Sequence, residues 1–213
     1  QAIAGKTRMT LTPPKRAKAQ LLIVVSGPSG AGKDSVVRML LEREQSLVFV
    51  VTTTTRAMRA NELQGRDYFF VSNDEFERMV EAGEFVEHAI VYGERKGVSR
   101  REVQAALQSG NDALLRVDVQ GAVQIKKLYP GALLIFVTPE NDAELRYRLS
   151  GRETETDGGM ESRLRTAREE AKCQEAFDCV VINRRDDLER AVKTIQRVVR
   201  TERARARHQA NLT

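Results

Sequence analysis

The sequence predicts an α/β fold in which five strands form a parallel core sheet with helices on both faces. Three features of the 213-residue chain lead there. Short runs of apolar, mostly β-branched residues recur along it, helical patterns separate the later ones, and a glycine-rich loop joins the first run to the first helix. Strands that alternate with helices are linked by crossovers, which make the strands parallel and cover both faces of the sheet.

Residues 21–26 are short and apolar, the pattern of a buried strand. After the glycine-rich loop, Val36, Val37, Leu40 and Leu41 recur at helical spacing. Residues 48–51 read as the second strand, 113–119 and 133–137 as two more, and 179–183 as the fifth. Helical patterns at 101–108, 120–128 and 141–149 stand between the later strands. Two stretches break this rhythm. Residues 52–101 are polar and in places aromatic, and look like an insert. Residues 150–170 are rich in glycine, threonine and arginine, and look like a lid with a helical return.

Hydrophobic residues make up 41% and charged residues 31% of the chain, a balance typical of soluble domains. No apolar run approaches the ~20 residues of a membrane helix, so no membrane span is predicted. The formal net charge is +5, and Lys6, Arg8, Lys15, Arg16 and Lys18 in the acid-free head supply all of it. The rest of the chain is near neutral, which speaks against a nucleic-acid partner. The head, 1–19, reads either as a disordered tail or as the remnant of an organelle-targeting segment, ended by Pro13 and Pro14. Arg197, Arg200, Arg203 and Arg205 read as a solvated helix face. Cys173 and Cys179, even with His88 and His208, fit no zinc spacing, and their scarcity suggests a reducing compartment.

Gly27, Pro28, Ser29, Gly30, Ala31, Gly32 and Lys33 match the pattern G-x-x-x-x-G-K. Glycines let backbone N–H groups turn inward around phosphate oxygens, and the helix that follows adds its positive end. Lys33 reaches the β- and γ-phosphates as a point charge. The position after an apolar strand and before an amphipathic helix makes this a strong signal for a nucleoside triphosphate. One residue departs from the pattern: Asp34 stands where a hydroxyl normally ligates Mg²⁺, with Ser35 next. A carboxylate is a good ligand for a hard cation but brings negative charge beside the phosphates. Asp34 and Ser35 therefore remain the two metal-ligand candidates.

Further motifs follow in order. They are Thr54-Thr55-Arg56-Ala57-Met58-Arg59, Gly65-Arg66-Asp67-Tyr68-Phe69-Phe70-Val71, Glu84-Phe85-Val86-Glu87 and Asp118-Val119-Gln120-Gly121. Together with the phosphate loop they resemble guanylate kinase, over about residues 21–199. Gly32-Lys33-Asp34, the run 92–97 and Leu115-Arg116-Val117-Asp118 look most like the organellar enzymes of plants and algae. The resemblance implies a P-loop nucleoside monophosphate kinase fold and γ-phosphoryl transfer from ATP to GMP or dGMP in purine nucleotide metabolism, with Mg²⁺. It implies a core of 20–52, 103–145 and 171–200, a GMP-binding insert at 53–102, a lid at 146–170, and a helix end and tail at 201–213. A monomer or weak dimer is expected, in a chloroplast or mitochondrion, with the cytoplasm as the alternative.

By the same resemblance Thr53, Arg56, Arg59, Tyr68, Glu87, Lys96 and Asp118 bind GMP. The chemistry agrees. Arg56 and Arg59 offer two forks to a phosphate dianion, and Tyr68 adds a phenol donor. Guanine presents N1–H and N2–H₂, which a carboxylate such as Glu87 matches. Lys33, Arg59, Arg152 and Arg163 are implied to stabilise charge on the transferring phosphoryl. Four positions differ from the family's usual pattern. Arg95 and Lys96 replace two tyrosines, Val98 replaces a small hydroxyl residue, and Arg116 replaces an aspartate. Arg116 either reverses the charge near Mg²⁺ or the GMP phosphate, or points at an acid such as Asp34. Two other readings stand beside this one. Gly-Lys-Asp-Ser also resembles ribose 1,5-bisphosphate phosphokinase, and a guanylate-kinase-like binding module without catalysis is the third possibility. The retained glycines and Lys33 argue against the last.

Overall fold

The computed structural model describes residues 20–91, 93–150 and 157–212, with backbone alone at 91, 157–160, 162, 163 and 210–212. Strand β1 (Leu22–Ser26) lies at the centre of a five-stranded sheet, and all five of its residues are buried. On one side it pairs with β7 (Asp112–Arg116), which pairs in turn with β2 (Leu47–Phe49). On the other it pairs with β8 (Leu133–Thr138), then β9 (Cys179–Ile182). Every pairing is parallel.

Alternation along β1 builds two cores. Ile23 and Val25 face helices α1 (Lys33–Arg43) and α7 (Leu188–Leu212), in a cluster with Val36, Leu40, Val192 and Ile195. Leu22 and Val24 face α3 (Arg100–Gln108) and α4 (Val119–Leu128), in a cluster with Val103, Ala122 and Ile125. Each fully buried aliphatic side chain contributes about 1.5–3 kcal/mol. Parallel sheets need this covering on both faces, which explains why the strands read as continuous apolar runs.

Asp112 locks one end of the core. Its Oδ1 accepts from the Leu21 amide at 2.9 Å, and its Oδ2 accepts from Arg203 Nε at 2.5 Å. Arg203 also lies 3.7 Å from Glu44. This arginine thus ties α7 to the sheet edge, which a reading as a purely solvated face does not anticipate.

The predicted strand at 113–119 is shorter than expected. β7 stops at Arg116 because the Asp118 carboxylate accepts from the amides of Gln120 and Gly121 at 2.9 and 3.0 Å and so starts α4. Between β2 and α3 the chain makes a second sheet of order β4-β3-β6-β5. Its strands are β3 (Thr53–Thr54), β4 (Phe69–Phe70), β5 (Phe85–Val91) and β6 (Glu94–Ser99). Helix α2 (Asn73–Glu81) packs Phe76 on Phe85, ring centroids 4.6 Å apart. α4 packs against β5 and joins the two sheets. Helices α5 (Asp142–Ser150) and α6 (Asp157–Lys172) pair through Leu145, Leu149, Leu164 and Ala167.

Candidate active site

β7 and β8 leave β1 on opposite sides, and a crevice opens where the strands end, the usual place for a ligand in such sheets. The glycine-rich loop lies there. Gly27 has φ of 135°, and a Cβ at this position would stand 2.0 Å from the Val137 carbonyl oxygen. No other residue fits. The loop's outer side is fixed by Arg148 Nη1 and Asn183 Nδ2, which donate to the Ala31 carbonyl at 2.9 and 2.8 Å. Lys33 folds over the loop, and its Nζ donates to the carbonyls of Gly27 and Pro28 at 2.6 and 2.9 Å. Burial pulls its pKa down to about 8, although Asp34 and Glu170 pull the other way.

A cavity of about 220 Å³ runs from this loop to the second sheet. Gly27, Ser29, Gly30, Gly32, Lys33 and Asp34 line one end, and Arg56, Arg59, Tyr68, Glu87, Lys96 and Asp118 line the rest. Arg56 is held by Glu62, with Nη2 2.7 Å from Oε1, and its guanidinium lies 5.4 Å from the Tyr68 ring centroid. Glu62 Oε2 accepts from the Arg59 amide at 2.9 Å, and its Oε1 lies 3.9 Å from Arg59 Nη1, so one acid contacts both arginines. Burial lowers the pKa of Lys96, which also feels the charges of Arg56 and Arg116. Burial raises that of the Tyr68 phenol.

Glu87 is 4% exposed, and its Oε2 has no hydrogen-bond partner among the described residues. Burial, with the charge of Asp118, pushes its pKa up to about 8. An orphaned buried carboxylate costs stability, so its position calls for a ligand with donors. Nearer the loop, Arg116 Nη1 donates to Asp34 Oδ1 at 2.8 Å. Glu170, on α6, accepts from the Ser29 amide at 3.3 Å. Burial raises the Glu170 pKa, against the pull of Lys33.

The guanylate kinase family model matches residues 19–202. The chain belongs to the guanylate kinase family. It is 41% identical over 196 residues to guanylate kinase 2, chloroplastic/mitochondrial, of Oryza sativa subsp. japonica, covering 92% of this chain and 68% of that one. It is 42% identical over 199 residues to the guanylate kinase of Thiobacillus denitrificans, covering 93% of each. The crystal structure of guanylate kinase from Anaplasma phagocytophilum superposes with a TM-score of 0.73 at 33% identity, over 87% of each chain. The chain is thus a nucleoside monophosphate kinase with the P-loop fold that its sequence predicts.

Two of the candidate residues lie away from this cavity. Thr53 is buried but does not line the cavity; Thr52 does, because neighbouring residues of an extended chain face opposite ways. The Thr52 hydroxyl is a second buried polar group without a partner among the described residues. Ser35 turns away as well. It lies about 100° around the helix from Asp34 and lines a separate cavity with Arg148, Asn183 and Arg184. Pro28 contributes its carbonyl to Lys33, and Ala31 is buried under the loop. Arg152 lies outside the described residues, as does the side chain of Arg163 on α6.

Of the four departures, Val98 is fully buried in the second core cluster, and Arg95 turns outward to Glu77 at 3.6 Å. Lys96 lines the cavity, and Arg116 meets Asp34. Sequence reasoning missed Glu170, Glu62 and the Arg148–Asn183 clamp, each distant in sequence from the group it holds or of a type too common to stand out.

Proposed function

We propose that the chain transfers the γ-phosphoryl of ATP to GMP or dGMP, giving ADP and GDP. The observation that carries this is the single cavity shared by the Lys33 phosphate loop and the orphaned Glu87 carboxylate. The loop amides and the N-terminal end of α1 receive the triphosphate, and Lys33 leaves its loop carbonyls to meet the β- and γ-phosphates. Arg56, Arg59, Lys96 and Tyr68 hold the GMP phosphate, oriented by Glu62. Glu87 accepts from guanine N1–H and N2–H₂, supported by Asp118 and the Thr52 hydroxyl.

Transfer needs alignment and charge neutralisation rather than covalent chemistry. The segment 53–102 acts as the GMP-binding insert. Residues 146–170 act as a lid that brings Arg152 and Arg163 to the phosphoryl group and excludes water. The remaining core segments stay fixed.

The donor set fits Mg²⁺. Among the described residues no group of three His, Cys, Asp or Glu side chains can hold a metal alone. Asp34, beside Lys33 in the cavity, is the protein ligand that fits, and Glu170 stands near the same lysine. Mg²⁺ supplies neutralisation of the β- and γ-phosphate charge. The similarity to a plant protein named chloroplastic/mitochondrial supports an organellar setting. A coupled ADP-release assay tests the reading with GMP, dGMP, AMP and ribose 1,5-bisphosphate. Turnover of the guanine nucleotides alone is expected, and turnover of the ribose bisphosphate without GMP overturns it.

A further inference from the structure

Arg116 ends β7 at the cavity wall, between the phosphate loop and the second sheet. Its side chain is only 12% exposed. Nη1 donates to Asp34 Oδ1 at 2.8 Å, and Nη2 to the Asp67 carbonyl at 3.4 Å. The guanidinium lies 4.8 Å from the Tyr68 ring centroid and 5.5 Å from that of Phe49. Groups from α1, from the segment before β4, and from β2 therefore fix this fork from three sides.

Stability alone does not explain that arrangement. The Asp34 side chain is 67% exposed, and an ion pair so open to water contributes little to folding. Arg116 also stands among the other cations of the cavity. Arg56 approaches the same Tyr68 ring at 5.4 Å, and both Lys33 and Lys96 feel the Arg116 charge. Five cations, Arg116 with Lys33, Arg56, Arg59 and Lys96, line this one cavity, interleaved with the acids Asp34, Glu94, Asp118 and Glu170. In the proposed reaction four of them already have phosphates to meet: Lys33 at the donor end, and Arg56, Arg59 and Lys96 at the acceptor end. Arg116 stands between the two ends and presents the same kind of planar fork as Arg56.

We infer that Arg116 is a phosphate-binding residue at the junction of the two nucleotide sites, and that Asp34 is the positioning residue that aims it. This rests on the reading that a nucleoside monophosphate is the acceptor. Arg116 then meets the acceptor's phosphate and, during transfer, the phosphoryl group that approaches it. The carboxylate of Asp34 offsets one charge of the cluster before substrate arrives and keeps the guanidinium turned towards the cavity. A serine at 34 leaves Arg116 without this anchor.

Calorimetric titration with GMP and with guanosine tests the inference on the wild-type chain and on Arg116→Met, Asp34→Asn and the double variant. Arg116→Met is expected to weaken GMP by about 10- to 100-fold and to leave guanosine unchanged. Asp34→Asn is expected to weaken GMP by a smaller factor, and to add nothing once Arg116 is Met. Unchanged GMP affinity in Arg116→Met overturns the phosphate role. Equal loss of GMP and guanosine makes the residue structural and overturns it too. An Asp34→Asn loss that persists in the Arg116→Met background overturns the positioning role. If Arg116→Met does not fold, Arg116→Gln is read by the same ratio. A wild-type chain that fails to bind GMP refutes the acceptor assignment itself, a distinct outcome.

Discussion

Gly121 and Glu87 share one space. A Cβ on Gly121 would stand 2.8 Å from Glu87 Oε1 and 2.9 Å from Oε2. The first turn of α4 is thus the floor on which the carboxylate proposed to face guanine rests. Gly121→Ala keeps the helix but displaces that carboxylate. The KM for GMP is expected to rise by about 10-fold or more, the value of a misplaced hydrogen bond to a charged group, while the KM for ATP stays within a factor of two. Steady-state kinetics with each substrate varied in turn checks this; an equal rise in both places the damage elsewhere.

In the proposed role the same carboxylate is expected to make guanine binding pH-dependent. Burial and the Asp118 charge hold Glu87 at a pKa of about 8, so it is largely protonated at neutral pH in the free protein. Only the ionised form accepts both guanine donors. Binding therefore releases a proton below pH 8, and affinity rises from pH 6 to 8 and levels off above. Guanosine, which lacks the titrating phosphate, isolates the effect in calorimetry across buffers of different ionisation enthalpy. Stability runs the opposite way. A carboxyl whose folded pKa lies above its ordinary 4.5 stabilises most below that value. This contribution is lost as pH rises through about 8. Glu87→Gln removes both dependences.

Lys33→Ala is expected to lower kcat by about 10²–10³-fold, the effect of losing one donor to the transferring charge. The fold is expected to stand without it, since among the described residues the Lys33 ammonium donates to the loop carbonyls of Gly27 and Pro28. A variant that melts normally and turns over at the wild-type rate refutes the role given to this lysine.

Asp34→Ser changes the response to Mg²⁺ without abolishing it, because triphosphate oxygens and water supply most of the coordination. A titration of rate against free Mg²⁺ is expected to show a shifted midpoint and retained saturation. An unshifted midpoint removes Asp34 from the metal's surroundings.

Asp112→Ala breaks two contacts, to the Leu21 amide and to Arg203. The Arg203 side chain is 18% exposed, so the loss of Asp112 leaves a largely buried cation with a weaker partner. A cost of about 3 kcal/mol is expected in denaturant unfolding, with substrate affinities unchanged. A loss under 1 kcal/mol would mean that Glu44 compensates.

Much of the core was legible in the sequence for a local reason. Strands such as Leu133–Thr138 are continuous apolar runs because both sheet faces are covered, and the phosphate loop is a contiguous motif whose glycines answer to backbone geometry. The end of β7 was less legible. The run from Ala113 to Val119 stays apolar enough to read as one strand, and only the capping bonds of Asp118 show that the helix has begun. The second sheet was hidden in polar sequence, because β3 and β4 have only two residues each and the buried β3 consists of threonines.

The sequence by itself determined the fold class, the triphosphate loop and, through a series of motifs in order, a guanine nucleotide as acceptor. Those signals depend on residue type, spacing and backbone conformation, which a chain displays along its length. Tertiary structure alone decided which threonine faces the cavity, that Ser35 turns away, and that Arg116 meets Asp34. It also decided that Glu87 lies buried on Gly121. Arg116 and Asp34 are 82 positions apart, and Glu87 lies on a different sheet from the one that ends at Arg116. Burial, side-chain direction and contact across such separations follow from packing, and packing has no local signature.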